Sequence, residues 1–234
     1  MGNYALARHA FVRVIGSEAI VLDLRRDRYV AFPNLPVFAH EIEGWPKPST
    51  ELDSPNYGDN TSELNQLIAR ELVTTNSDGG HEGATVTLEP ATLDCVYEWR
   101  RHNGNVSSSV SRAFRDTTRE TRDWWRRFPL DERVERLRRK RGDLHPVDAV
   151  CLEDVKPLLG AFFHLRMWSY TARDNCLFDS VACCNFLCRF GVRASFVIGV
   201  AVAPFLAHGW AQIGTHALNE SWSRARTFEP IFIA

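Results

Sequence analysis

No stretch of this 234-residue chain reads as a membrane span. The longest apolar run, Ser195–Ala207, is shorter than the roughly 20 residues a spanning helix needs, and Pro204 breaks it. Met1–Ala10 lacks the basic start, apolar block and small-residue cleavage site of an export signal, so the expected location is cytoplasmic, with reduced thiols. The chain contains no G-x-x-x-x-G-K-[ST] loop and no G-x-G-x-x-G turn, which excludes the two common phosphate cradles. It has no C-x-x-C pair, and neither an internal repeat nor a low-complexity block. Net charge is close to nil, at −1.

What is present suits an ordinary globular protein large enough to bury a core: 44% hydrophobic and 24% charged residues. The charge is unevenly divided. Residues 1–90 carry 7 basic and 13 acidic side chains, a net −6, and residues 91–234 carry 21 and 16, a net +5. Between them Asn76–Gly83 is polar, glycine-rich and without periodicity, the best linker in the chain. This predicts two domains, 1–84 and 85–234.

The first domain opens with strand-like text at Phe11–Ile15, Ala19–Leu24 and Arg28–Phe32, with turn residues between. Helices are expected at Val37–Glu43 and Ser62–Val73, the second with an apolar stripe of Leu64, Leu67, Ile68 and Leu72. In the second domain Val110, Phe114, Thr121, Trp125 and Phe128 recur at helical spacing, and Leu130, Val134 and Leu137 continue after Pro129. Between Arg112 and Arg141 lie 12 basic and 6 acidic residues. Because the acids are interleaved, this is a solvated helix face rather than a nucleic-acid surface. Leu158–Tyr170 and the segment from Cys176 to Gly191 read as buried helices, and Ala194–Val202 and Gly209–Ile213 as strands.

Cys176 opens its helix, with Asp174 or Asn175 as the cap. A thiol at a helix N-terminus has its pKa lowered by free N–H groups and the dipole, and the same groups can hold an oxyanion. His208 follows 32 residues later on strand-like text, where an imidazole can take the thiol's proton. A third group must orient that ring, and Asn219 and Glu220 both follow the Gly214-Thr215 turn. Successive strand residues face opposite sides, so only one of the two reaches His208. Cys183, Cys184 and Cys188 read as small core residues. As zinc ligands they fit poorly, since adjacent helix positions diverge by about 100°. His164 and His216 read as ordinary core or surface histidines, and neither a metal nor another cofactor is expected.

Four blocks then carry a resemblance: C-L-F-D-S from Cys176, R-F-G-V-R-A from Arg189, V-I-G-V from Val197 and P-F-L-A-H-G-W from Pro204, with L-N-E from Leu218 behind them. In this order they resemble the B proteins of lasso-peptide biosynthesis, over roughly residues 170–222. The resemblance implies an α+β chain: a small winged-helix-like domain with three strands, followed by a transglutaminase/papain-like cysteine protease domain. It implies a cysteine leader peptidase with Cys176 as nucleophile, His208 as base and, by position, Glu220 as the acid. That family usually has aspartate at the acid position and alanine where this chain has Gly209. The run V-L-D-L-R-R-D-R-Y-V-A-F from Val21 resembles the hairpin of the family's leader-recognition module. There the leader adds as a strand, which points to Arg28, Tyr29, Val30, Ala31 and Phe32, with Leu64, Leu67 and Ile68 as pocket residues. For Leu64 and Leu67 a plain core role is an equal reading. The implied partners are a ribosomal precursor peptide and an asparagine-synthetase-like lasso cyclase, with neither nucleic acid nor membrane. Two other readings remain open: acyl transfer to an amine, and a non-catalytic leader-binding chaperone.

Overall fold

The computed structural model describes residues 4–32, 42–46, 61–75, 88–94, 105–142, 152–172 and 175–234. The chain divides into two compact units, Met1–Thr87 and Leu88–Ala234, and its secondary structure is mixed α+β. No helix among the described residues is long and apolar enough to cross a membrane.

In the first unit β2 (Ala10–Ile15), β3 (Glu18–Asp23) and β4 (Arg28–Phe32) form an antiparallel sheet in that order. Gly16, at φ +60°, supplies the left-handed residue of the first turn. In the second turn, the Asp23 carboxylate accepts the backbone N–H groups of Arg25 and Arg26. The central strand β3 buries every residue but its first. A second small sheet joins β1 (Tyr4–Leu6) to β5 (Ile42–Glu43) in parallel and to β6 (Val73–Thr74) in antiparallel.

Two expectations change here. Ile42 and Glu43 are strand rather than helix, because β1 offers them an edge; residues 37–41 lie outside the described residues, as does the linker Asn76–Gly83. Helix α1 spans Thr61–Ala69, not Ser62–Val73. It stops in a double hydrogen bond, Leu72 N–H to Leu67 O and Glu71 N–H to Ile68 O, around Glu71 at φ +60°. That is the Schellman geometry, made here without a glycine. Arg25 and Arg26 both bond the Glu71 carboxylate at this turn.

In the second unit a five-stranded sheet runs β11-β8-β9-β10-β7. Its centre is the antiparallel pair β8 (Ser195–Val202) and β9 (Phe205–Ile213), in continuous register from Ser195↔Gln212 to Val202↔Phe205. Strand β9 begins four residues before the expected Gly209, since Pro204 lies in the turn rather than in the strand. Strands β10 (His216–Ala217), β11 (Glu229–Ile233) and β7 (Leu93–Asp94) complete the sheet.

Helix α2 (Ser108–Arg127) is capped by the Ser107 hydroxyl, which accepts the Val110 N–H, and Pro129 separates it from α3 (Leu130–Gly142). Helix α4 is Leu152–Arg166, starting six residues earlier than expected, with Glu153 and Asp154 in its first turn and Pro157 inside it. Helix α5 (Cys176–Cys188) is buried from Phe178 to Cys188, its polar Asp179, Ser180 and Asn185 included, and packs against β8, β9 and the helices α2, α3 and α4. It ends in a Schellman turn at Gly191, φ +79°, as the glycine position predicts. A short helix α6 (Trp222–Ala225) follows the acid segment.

Candidate active site

Cys176 occupies the first position of α5 and is half-buried. Asn175 stands at the N-cap, but its amide turns back to the Thr171 carbonyl at 3.2 Å and caps nothing. Asp174, the other expected cap, lies outside the described residues. Within the first turn, the Leu177 N–H faces the sulfur. Burial would push the Cys176 thiol up, yet it lies below the ordinary value of 9.0. The His208 ring, the Gly209 and Leu177 N–H groups and the charge on the imidazole together outweigh the burial.

His208 sits inside β9, 7% exposed, opposite Gly199 in the β8 register. Its ring lies over the Phe228 ring at a centroid distance of 5.2 Å and stacks on Trp210 at 6.4 Å. Gly199 makes room for this arrangement: a Cβ there would lie 2.7 Å from the Trp210 ring and 2.8 Å from Phe228 Cβ. His208 Nε2 meets Glu220 Oε2 at 2.9 Å, which leaves Nδ1 for the thiol side. Burial lowers the imidazole's pKa, but the bonds to Cys176 and Glu220 and the charges on both raise it to about 9. Glu220 is held below the ordinary carboxylate value: burial opposes this, while His208, the Ser221 N–H and Arg224 favour it. The other Glu220 oxygen accepts the Ser221 N–H at 2.9 Å, so both oxygens are fixed.

Asn219 faces away from His208. Its oxygen accepts the Ala211 N–H at 2.7 Å, and its nitrogen donates to Asp179 Oδ2 at 2.9 Å and Ser180 Oγ at 3.0 Å. Of the two candidates, Glu220 is the residue that meets the imidazole. Gly209, where the resembled family has alanine, packs against Leu177. A Cβ there would meet Leu177 Cδ2 at 2.8 Å, the movable tip of a side chain.

Sequence reading missed the polar group beneath the site. Asp179 is 2% exposed, bound by Arg166 Nη1 at 2.7 Å, by the Tyr170 hydroxyl at 2.9 Å and by Asn219. Burial raises its pKa, against these three partners. The available signal was a lone carboxylate in otherwise apolar helix text, which folding tolerates only with partners. Cys183 and Cys184 are fully buried, and burial pushes their thiols up, as it does that of Cys188. Among the described residues no three His, Cys, Asp or Glu side chains form a metal cluster.

This thiol–imidazole–carboxylate chain lies within residues 116–233, which match the family model of the transglutaminase-like superfamily over half of the sequence. The chain belongs to that superfamily. Transglutaminase-like domains commonly work through a cysteine, and their chemistry is acyl transfer or peptide hydrolysis. No curated protein and no solved structure matches the chain.

The remaining expected residues lie in the first unit, outside the transglutaminase-like domain. Strand β4 is an edge of its sheet among the described residues. Along it Arg28 and Ala31 are exposed, Tyr29 and Val30 half-buried, and Phe32 lies in the core. On α1, Leu67 is enclosed at 0% exposure and Leu64 packs on the same core, while Ile68 is 38% exposed. A cavity of about 360 Å³ opens between β4 and the end of α1, with Arg28 and Val30 on one side and Ala69, Arg70 and Leu72 on the other.

Proposed function

We propose that this transglutaminase-like protein is a leader peptidase of the lasso-peptide type. The observation that carries the reading is the His208–Glu220 hydrogen bond at 2.9 Å beside the Cys176 thiol at the start of α5, a thiol that the imidazole lowers and that helps raise the imidazole. Cys176 and His208 form a thiolate–imidazolium pair, and the Glu220 carboxylate stabilises the cation and fixes the ring. The thiolate attacks the carbonyl carbon at the leader–core junction. Proton donation by His208 releases the core amine, and the thioester that remains is hydrolysed by water with His208 as base. The N–H groups of the first turn of α5 are suited to the developing oxyanion.

In this proposal the winged-helix-like first domain captures the leader by adding it as a strand along Arg28–Phe32. The cavity beside Val30 receives a leader side chain, and Ile68 lies exposed on the same helix. Capture raises the effective concentration of the scissile bond at the second domain. The core amine that is released would pass to the asparagine-synthetase-like cyclase. A cytoplasmic setting suits a protein whose working group is a free thiol.

The test is to incubate the pure protein with the precursor peptide encoded beside its gene and weigh the products. Wild type is expected to yield a leader with a free carboxylate, and Cys176→Ala and His208→Ala to fall by several orders of magnitude. Full processing by both variants defeats the proposal. A crosslinked or amidated product would instead assign amine transfer, which the same triad permits.

A further inference from the structure

We propose that Asn219 is the positioning residue of this site: its single amide fastens the helix of Cys176 and the strand of His208 to the segment of Glu220. The inference rests on the cysteine reading above and adds to it how the triad is registered. Both N–H donors of the amide and one lone pair of its oxygen are engaged. Its oxygen takes the N–H of Ala211 on β9, three residues beyond His208. Its nitrogen gives one hydrogen to Asp179 and one to Ser180, both on α5. The Ser180 hydroxyl in turn donates to the Cys176 carbonyl at 2.7 Å. One hydroxyl therefore separates the Asn219 amide from the backbone of the nucleophile.

The ladder explains why an amide is needed. Strand β10 ends at Ala217, and Leu218 N–H still reaches Ala211 O at 2.8 Å. The partner of the Ala211 N–H is then the Asn219 side chain, which continues the pairing while the backbone turns away. Glu220, the next residue, is thereby aimed at His208. On the helix side, Asp179 is a fixed acceptor because Arg166 and Tyr170 hold it. Only a side chain with an acceptor on one branch and a donor on the other meets both surfaces. An aspartate of the same shape would set a second carboxylate against Asp179.

The charged and titratable groups around this clamp are Asp179 and Cys183 on α5, Arg166 on α4, Tyr170 beyond it, His208 on β9, Glu220 beside it and Arg224 on α6. Losing the clamp frees Glu220 and loosens Cys176 from His208, so the thiolate loses support. A merely structural residue would change the melting temperature and leave the thiol of the folded protein as it was.

The experiment measures alkylation of Cys176 by iodoacetamide across pH, resolved by peptide mass, in the full chain, with circular dichroism to follow folding. Asn219→Ala is expected to move the midpoint up by about one pH unit and to slow neutral-pH alkylation roughly tenfold. The isosteric Asn219→Asp, which sets a second carboxylate against Asp179, is expected to move it in the same direction. A wild-type profile in either folded variant overturns the proposal. If Asn219→Ala does not fold, Asn219→Asp decides. The readout needs no peptide substrate, so a failure of the leader-peptidase reading shows separately, as an activated thiol that leaves the precursor uncut.

Discussion

The Cys176 thiol and the His208 imidazole shift toward each other: the thiol lies below 9.0 and the imidazole rises to about 9. The thiolate exists above its lowered pKa and the imidazolium below about 9, so the ion pair dominates between these limits. Acyl transfer is therefore expected to follow a bell-shaped pH profile, rising below the ordinary thiol range and falling near pH 9, as stopped assays across pH would show. His208→Ala should return Cys176 alkylation to an ordinary thiol profile. Glu220→Gln keeps the shape but removes the charge that favours imidazolium, and turnover is expected to fall on the order of 10²–10⁴-fold. An unchanged turnover would remove Glu220 from the mechanism. Cys176 and His208 were legible as residues because a helix start and a strand are local features. The resemblance points to Glu220 by position, but both Asn219 and Glu220 can accept from a ring N–H, and only the packing shows which one faces it.

The decisive element is the hairpin of β8 and β9, which sets His208 directly across from Gly199. Gly199→Ala places a Cβ against Trp210 and Phe228, the two rings that flank His208. It is expected to destabilise the protein by about 1–3 kcal/mol in urea unfolding and to lower turnover, because the crowded rings carry the imidazole with them. Helix α5 and its Gly191 stop were readable, since mainly apolar text and a C′ glycine are strong local signals. The end of α1 was not. Glu71 adopts the left-handed turn that glycine usually marks, and the bonds from Arg25 and Arg26 that accompany it come from more than forty residues away. Strand β5 escaped for a similar reason: two residues become a strand only because β1 lies beside them.

At the scale of the whole molecule, two compact units divide the proposed work of capture and cleavage. Val30→Asp, in the cavity beside β4, is expected to raise the KM for the precursor tenfold or more. It should leave Cys176 alkylation and turnover at saturation intact, as steady-state kinetics would reveal. A rise in KM accompanied by an equal fall in Cys176 alkylation would deny the separation of roles. The sequence by itself marked the candidates: a thiol at a helix start, an imidazole on strand-like text and two side chains beyond a turn, each encoded within a few residues. The tertiary structure alone decided how they are joined. Asp179 meets Arg166, Tyr170 and Asn219 across 9 to 40 positions of chain, and Glu220 is turned to His208 because its neighbour is pinned to α5. Buried polar partners are selected by the cost of leaving any of them unpaired, and that cost exists only once the chain has folded around them.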